Sequence, residues 1–424
     1  MRILYPILWW VGLPLVLFRL WLRGKKEPGY RANIAERLGF YHQLKGRSSQ
    51  PRLIWVHAVS VGETRAAQPL IDALLTEYPA HAILLTHMTP TGRQTGKEIY
   101  AAYGQRVIQS FLPYDTGCMT TRFIRYFKPE LGILMETEVW PTLLKTCQSA
   151  GVPVVLANAR LSEKSLQRGL KMGPIMTDAA QALHTVAAQT QADATRLKQM
   201  GARNIQVTGS IKFDVRPSKT LMGKGIAWRR QIGERPILLC ASTREGEERL
   251  ILDAMEKHRP DWLTIIVPRH PQRFDEVTDM AKQGGFDVVR RSEMGDGPLA
   301  PNTDILIGDS MGEMVAYYAA CDVAFIGGSL MPLGGQNLIE ACVLGRPVIL
   351  GAHTFNFEVS SNDAVAMGAA VRVNDAEALL QQAAKILHGE ELRNTMGVQA
   401  RTFSRQHQGA TQRTMALITP LIQG

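Results

Sequence analysis

The chain has 424 residues, more than one hydrophobic core usually organises, so two domains behind an N-terminal appendage are expected. Apolar residues make up 45% and charged residues 20%, a balance that excludes both a disordered chain and a multi-span membrane protein. Lys and Arg number 48 against 38 Asp and Glu; the resulting +10 suits anionic partners, and with no nucleic-acid-reading motif present, nucleic acid is not among those expected.

The chain opens on an apolar run, ILYPILWWVGLPLVLF (3–18), followed at once by Arg19, Arg23, Lys25 and Lys26. As a helix this run is ~24 Å long, short of a ~30 Å hydrocarbon core, and it just spans if Leu20, Trp21 and Leu22 are added with Arg19 snorkelling. RLWLRGKK stands where a signal peptide would carry small residues for cleavage, and four flanking cations do not suit a core helix. An uncleaved membrane anchor over 1–22 is expected, either spanning or lying in the interface with Trp9, Trp10 and Trp21 at headgroup depth. Its cationic flank keeps the following domain on the cytoplasmic side.

From residue 52 short apolar runs alternate with amphipathic stretches. LIWVH (53–57), AILLTH (82–87), RVIQSFL (106–112), LGILME (131–136), VPVVLAN (152–158) and TVAAQ (185–189) read as strands; TRAAQPLIDALLTEY (64–78) reads as a helix between the first two. This is the rhythm of a parallel sheet covered on both faces. It stops at GSIKFDVRPSKTLMGKG (209–225) and resumes with PILLCAST (236–243), WLTIIVP (262–268), DVVRR (287–291), DILIGD (304–309), DVAFIGG (322–328) and RPVILG (346–351). The expectation is an α/β protein of two doubly wound Rossmann-like domains, 30–208 and 233–424, facing a cleft and joined by a linker over 209–232. Ligands belong at the carboxyl ends of such strands. The five cysteines are odd in number and never form C-x-x-C, which suits free thiols in a reducing compartment.

The unusual residues fall just after strands. HAVSVGET (57–64) follows the first, with Ser60, Gly62 and Glu63. Ser60-x-x-Glu63 fits a capping box, in which Glu63 only satisfies a backbone N–H; Glu63 equally fits a general base taking a proton from an attacking hydroxyl. METEVWP (135–141) carries Glu136 and Glu138, on opposite faces if the strand continues. LANARLS (156–162) places Arg160 at a strand end, for an anionic ligand or a surface salt bridge. In the second lobe VPRHPQRF (267–274) packs Arg269, His270 and Arg273 between stiffening prolines, Pro268 among them. Such cations suit a phosphate or carboxylate, against the alternative of a solvated basic turn. CASTREGEE (240–248) contains Ser242-x-x-Glu245, a second candidate capping box. GDSMGEM (308–314) and GGSLMPLGGQNLIEA (327–341) are the richest loops: their glycines permit close backbone approach, Asn337 can cap the helix carrying Glu340, and a carboxylate there can accept from ribose hydroxyls. A P-loop, an early G-x-G-x-x-G, H-E-x-x-H and D-x-D are absent, which counts against ATPase, dinucleotide and metal-dependent readings.

Taken in order, RLGFY (37–41), SVGET, MTPTGR (88–93), LPYD (112–115), METEVWP, NARLS, GSIKFD (209–214), VPRHPQRF, MGE (311–313) and GGQNLIE (334–340) resemble the 3-deoxy-D-manno-octulosonic acid (Kdo) transferases, glycosyltransferases of the GT-B fold. The resemblance covers nearly the whole chain, with departures at Thr142, Gln272 and Gln336, where Asn, Glu and His are common. It implies transfer of Kdo from CMP-Kdo to the 6-hydroxyl of the distal glucosamine of a tetraacylated lipid A precursor, and a second addition onto the first Kdo, at the cytoplasmic face of the inner membrane among anionic lipids, with no metal or cofactor. It implies Glu63 as the catalytic proton acceptor. It assigns CMP to Pro268, Arg269, Met311, Gly312, Glu313, Asn337, Leu338, Ile339 and Glu340, and cleft positions to Ser60, Gly62, Glu138, Arg160, Lys212, Ser242 and His270. The readings that compete with it are a UDP-sugar glycosyltransferase or epimerase and a non-catalytic membrane-surface binding module.

Overall fold

The computed structural model describes residues 4–25, 27–41 and 52–422; residues 1–3 of the expected anchor and Lys26 of its cationic flank lie outside them. The chain divides into two compact units, one of residues 1–215 with 408–424 and one of residues 216–407.

In the first unit the strands are β1 (Arg52–His57), β2 (His81–His87), β3 (Val107–Phe111), β4 (Leu131–Met135), β5 (Val154–Ala159), β6 (Thr185–Ala188) and β7 (Ile205–Val207). They form a parallel sheet in the order β3-β2-β1-β4-β5-β6-β7. Alternate residues of one strand serve opposite faces: Leu53 and Trp55 pack in one apolar cluster, Ile54 and Val56 in another. A strand buried on both sides needs an unbroken apolar sequence, and so these strands are conspicuous.

The second unit holds β8 (Ile237–Thr243), β9 (Leu263–Pro268), β10 (Val288–Arg290), β11 (Ile305–Ile307), β12 (Val323–Ile326), β13 (Val348–Leu350) and β14 (Ala370–Arg372), again parallel, in the order β10-β11-β9-β8-β12-β13-β14. In each sheet the order reverses beside the first strand, between β1 and β4 and between β8 and β12. Loops leaving adjacent strands diverge there and open a crevice at their carboxyl ends.

Three expectations are corrected. The stretch 209–232 is not a linker: Ile211–Asp214 is a 3-10 turn of the first unit, and Lys219–Ile232 is a helix of the second, with Trp228 against Tyr317 at 4.9 Å between ring centroids. The second domain does not run to 424. Helix Ala410–Ile422 returns to the first unit, where Met415, Ile418 and Ile422 join the cluster of Leu70, Ile71 and Leu74, and Asp214 accepts from Gly409 N and Thr411 N at 2.7 and 2.6 Å. Burial of that apolar face outweighs continuity along the chain. The amphipathic stretch 64–78 is two helices, Val61–Ala66 and Gln68–Glu77.

Helix Leu4–Arg23 is long and apolar enough to cross a membrane by length and composition. Cys147, Cys240, Cys321 and Cys342 are buried, Cys118 is exposed, and all five are free thiols.

Candidate active site

In the first unit the chemistry-bearing side chains gather at the reversal between β1 and β4. After β1 the chain turns through Ala58 and Val59, and Ser60 becomes the N-cap of helix Val61–Ala66 in an extended conformation. The reciprocal capping box does not form: Ser60 makes no side-chain cap bond, and Glu63 Oε2 accepts instead from Val59 N at 2.8 Å. That single backbone bond orients a half-buried carboxylate whose Oε1 has no hydrogen bond among the described residues. Burial raises the Glu63 pKa to about 8; Val59 N–H opposes the shift, Glu138 and Glu136 add to it, and Lys212 reduces it. Gly62 is exposed, and a Cβ there would meet only Ser60 Oγ, at 3.9 Å.

Beyond β4 the strand does not continue. Glu136 takes a left-handed φ of 55° and forms an ion pair with Arg160 Nε at 3.2 Å and with Lys212 Nζ at 2.7 Å. Glu138 turns elsewhere and accepts from Trp140 Nε1 at 2.8 Å; burial raises its pKa. Thus Arg160 and Lys212 meet at Glu136, Glu138 lies within electrostatic reach of it, and Glu136, Glu138 and Lys212 all act on Glu63. His57 lies beside Glu138, fully buried, with Nδ1 on Thr86 Oγ1 at 2.9 Å and Nε2 4.0 Å from Glu138 Oε2. Burial and His87 push its pKa down to about 3, so the ring is neutral and the contact with Glu138 is not an ion pair. Thr142, one of the departures from the family pattern, contributes its backbone N–H to Asp115 Oδ2 at 3.0 Å, a bond indifferent to the side chain.

In the second unit the corresponding place is the reversal between β8 and β12. Ser242 has a left-handed φ of 56° within β8, and the helix that follows starts at Glu247 behind Gly246, so the Ser242-x-x-Glu245 capping box is not realised. The residue that organises the loop is Glu247, which sequence reasoning missed. Its buried carboxylate accepts from Arg244 N at 2.9 Å, Gly328 N at 2.6 Å and Leu330 N at 3.0 Å, tying the loop after β12 to the end of β8. Two of those partners lie more than eighty residues away, and no local pattern announces them. Gly327 fits because a Cβ there would stand 2.5 Å from Ser242 O.

Pro268 closes β9 in register with Thr243, and Arg269 N donates to Thr243 O at 2.9 Å. His270 is half-buried, and its pKa is lowered by burial and by Arg244, Arg269 and Arg273. Arg273 is not a ligand-facing cation: it is buried against Glu248 at 2.8 Å and Glu276 at 3.0 Å. Arg244 and Arg269 both act electrostatically on His270. Met311 is exposed, and Gly312 has φ 80°. Glu313 is paired with Lys224 and, at 3.4 Å, with Arg291; burial acts to raise its pKa, but these cations and Ser310 outweigh it and hold it low. Asn337 Oδ1 caps Ile339 N at 3.0 Å while its Nδ2 donates to Glu340 Oε1 at 3.3 Å. Leu338 and Ile339 have buried side chains, which leaves only their backbone groups for any ligand. Among the described residues no three His, Cys, Asp or Glu side chains gather into a metal-binding group.

Two parallel-sheet units of this kind recur in solved structures. A glycosyltransferase from Rickettsia africae superposes with a TM-score of 0.59 at 13% identity over 88% of this chain and 99% of its own, and Anabaena HepE in complex with UDP with 0.59 at 14% over 87% and 100%. The fold is the GT-B class. Residues 32–215 match the family described as 3-Deoxy-D-manno-octulosonic-acid transferase (kdotransferase), and 290–403 match Glycosyl transferases group 1. A 3-deoxy-D-manno-octulosonic acid transferase from Bordetella pertussis is 44% identical over 412 residues, 95% of each chain; one from Haemophilus influenzae is 36% identical over 436 residues, covering 100% of this chain and 99% of its own. The chain belongs to the 3-deoxy-D-manno-octulosonic acid transferase family and is a glycosyltransferase.

Proposed function

We propose that the protein transfers Kdo from CMP-Kdo to the 6-hydroxyl of the distal glucosamine of a tetraacylated lipid A precursor, at the cytoplasmic face of a bacterial inner membrane. A second Kdo is then added to the first. The observation that carries the reading is the state of Glu63. It stands past β1 at the sheet reversal, fixed by one backbone N–H through Oε2, with its proton affinity raised by burial and by two neighbouring carboxylates. A structural capping glutamate would be ionised and reciprocally bonded; this one has a free oxygen and a pKa near the working pH, which is what a general base requires.

In this reading Glu63 takes the proton of the acceptor hydroxyl as the oxygen attacks the anomeric carbon of Kdo. CMP leaves from the opposite face, which inverts that centre. Arg269, with Arg244 and His270 beside it, offsets the charge appearing on the departing phosphate. One phosphate carries less charge than a diphosphate, so fixed cations suffice and no metal is required. Asn337 and Glu340 are oriented by their mutual bond to meet ribose hydroxyls, and the backbone at Leu338, Ile339 and Met311–Glu313 lines the nucleotide. Lys212 and Arg160, on Glu136, are placed to meet the carboxylate of Kdo or the acceptor phosphates. The neighbours that bind UDP share the fold at 13–15% identity and lend a UDP-sugar donor no support beyond that.

The test is the Glu63→Gln variant, which keeps an acceptor for Val59 N–H. Turnover is expected to fall by roughly 10²-fold or more while CMP affinity changes little, as for removal of a general base. Unchanged turnover would remove Glu63 from the chemistry.

A further inference from the structure

Helix Leu4–Arg23 is apolar on all sides, yet its two faces meet different surroundings. Trp9, Leu13, Val16, Leu17 and Leu20 recur at steps of three and four and pack on Leu38, Met88, Tyr114 and Met119 of the first unit. The contacts run from one end of the helix to the other. Near its start, the Tyr5 hydroxyl donates to Asp115 Oδ2 at 2.8 Å, and the Trp9 ring lies 5.7 Å from that of Tyr114. Near its end, Arg31 donates through Nε and Nη2 to the Trp21 carbonyl at 3.1 and 3.0 Å, with its guanidinium 5.0 Å over the Trp21 ring. Tyr5, on Asp115, and Leu20, in the buried cluster with Tyr114 and Met119, are ~22 Å apart along the axis, and both are fastened to one globular unit. A helix held this way cannot cross a ~30 Å hydrocarbon core without giving up one set of these contacts.

Among the described residues the other face has no protein on it. Ile7, Leu8, Val11, Leu15, Phe18 and Leu22 are 43–70% exposed and fall on one side at helical spacing, directly opposite Leu13 and Leu20. Trp10 and Trp21, also exposed, flank that side, and the exposed cations Arg19, Arg23 and Lys25 cluster at its carboxyl end. A continuous apolar face edged by tryptophan and cations complements the boundary between acyl chains and anionic headgroups.

We propose that this helix lies in the plane of the membrane as a monotopic anchor, one face on the globular unit and the other sunk into an anionic bilayer surface. The inference rests on the membrane-associated reading above and specifies its geometry. It also places the bilayer beside the catalytic loop. Met88, which packs against the helix, donates its backbone N–H to Val59 O at 3.1 Å, and Val59 N holds Glu63. A hydroxyl carried on a lipid embedded in the surface thus needs no extraction to approach that loop.

The test places an environment-sensitive NBD label on single cysteines at positions 7, 11, 15 and 18 of the full chain, in a Cys118→Ser background, bound to phosphatidylglycerol-containing vesicles. Quenching by lipids carrying spin labels at shallow and deep positions reads the depth of each site. All four labels are expected at one shallow depth, within a few Å of each other. A staircase of ~16 Å from position 7 to position 18, the rise of eleven helical residues, would overturn the in-plane geometry and leave membrane attachment standing. Protein on the vesicles with labels that are buried but beyond reach of every quencher would overturn it too, assigning the face to another protein copy. Failure to bind vesicles at all would sink the membrane reading itself.

Discussion

Glu63 is subject to opposing influences: low solvation and the charges of Glu136 and Glu138 favour its proton, while Val59 N–H and Lys212 favour its loss. With the balance at about 8, the carboxylate is largely protonated at pH 7 and gains its basic form as pH rises. Because the base must be ionised to accept the acceptor proton, kcat/KM is expected to climb between pH 6.5 and 8.5 with an ionisation near 8. This limb is lost in the residual activity of Glu63→Gln; a profile that is flat over that range in the native enzyme would contradict the assignment. The position of Glu63 was legible because a carboxylate in the first turn after a strand is conspicuous whichever role it serves. Its role was not, since the Ser-x-x-Glu spacing fits a capping box equally well. Only the geometry shows that Ser60 leaves its half of the box unmade. Arg273 illustrates the reverse. Its motif advertises a cation after a strand, but whether that charge faces a ligand depends on Glu248, which a different helix supplies.

At the level of elements, the glycine-rich loop after β12 in the second unit is held by one buried carboxylate. Glu247 receives three backbone N–H groups, two of them from the segment after β12, and each would be left unsatisfied by truncation. An unmade bond to a buried donor costs about 1–3 kcal/mol, so Glu247→Ala is expected to destabilise the protein by ~3 kcal/mol or more. The loop being freed, donor affinity is expected to fall with it. A thermal melt and CMP titration check both, and an unchanged melting temperature would show that the loop holds itself. The strands themselves were legible wherever they are central: twelve of the fourteen stand out as apolar runs. β7 and β14, three residues each at sheet edges, do not, whereas β10, equally short and also at an edge, is marked by its DVVRR run. An edge strand covered on fewer sides has no need of a continuous apolar sequence and does not always give that signal. Helix Ala410–Ile422 was hidden for another reason. Its pattern says that one face is buried but not against which sheet, and the answer lies some 340 residues earlier, where Tyr78 meets Thr419.

For the whole molecule, two rounds of parallel-sheet alternation were enough to give the fold class, because burial on both faces dictates both strand composition and spacing. The unit boundaries were not accessible in the same way. The chain passes between units at residues 215–216 and again at 407–408, and the second passage carries no Gly/Pro-rich break of the kind that marked the first. The +10 net charge fits a surface that meets an anionic donor, a phosphorylated acceptor and an anionic leaflet, but charge does not choose the sugar. That choice is what the account most depends on. Mass spectrometry of the product formed by purified full-length protein from a tetraacylated lipid A precursor decides it, with CMP-Kdo or a UDP-sugar offered as donor. The acceptor is expected to gain one Kdo and then a second with CMP-Kdo, and nothing with UDP-sugars; a glycosylated product that forms only from a UDP-sugar would contradict the account.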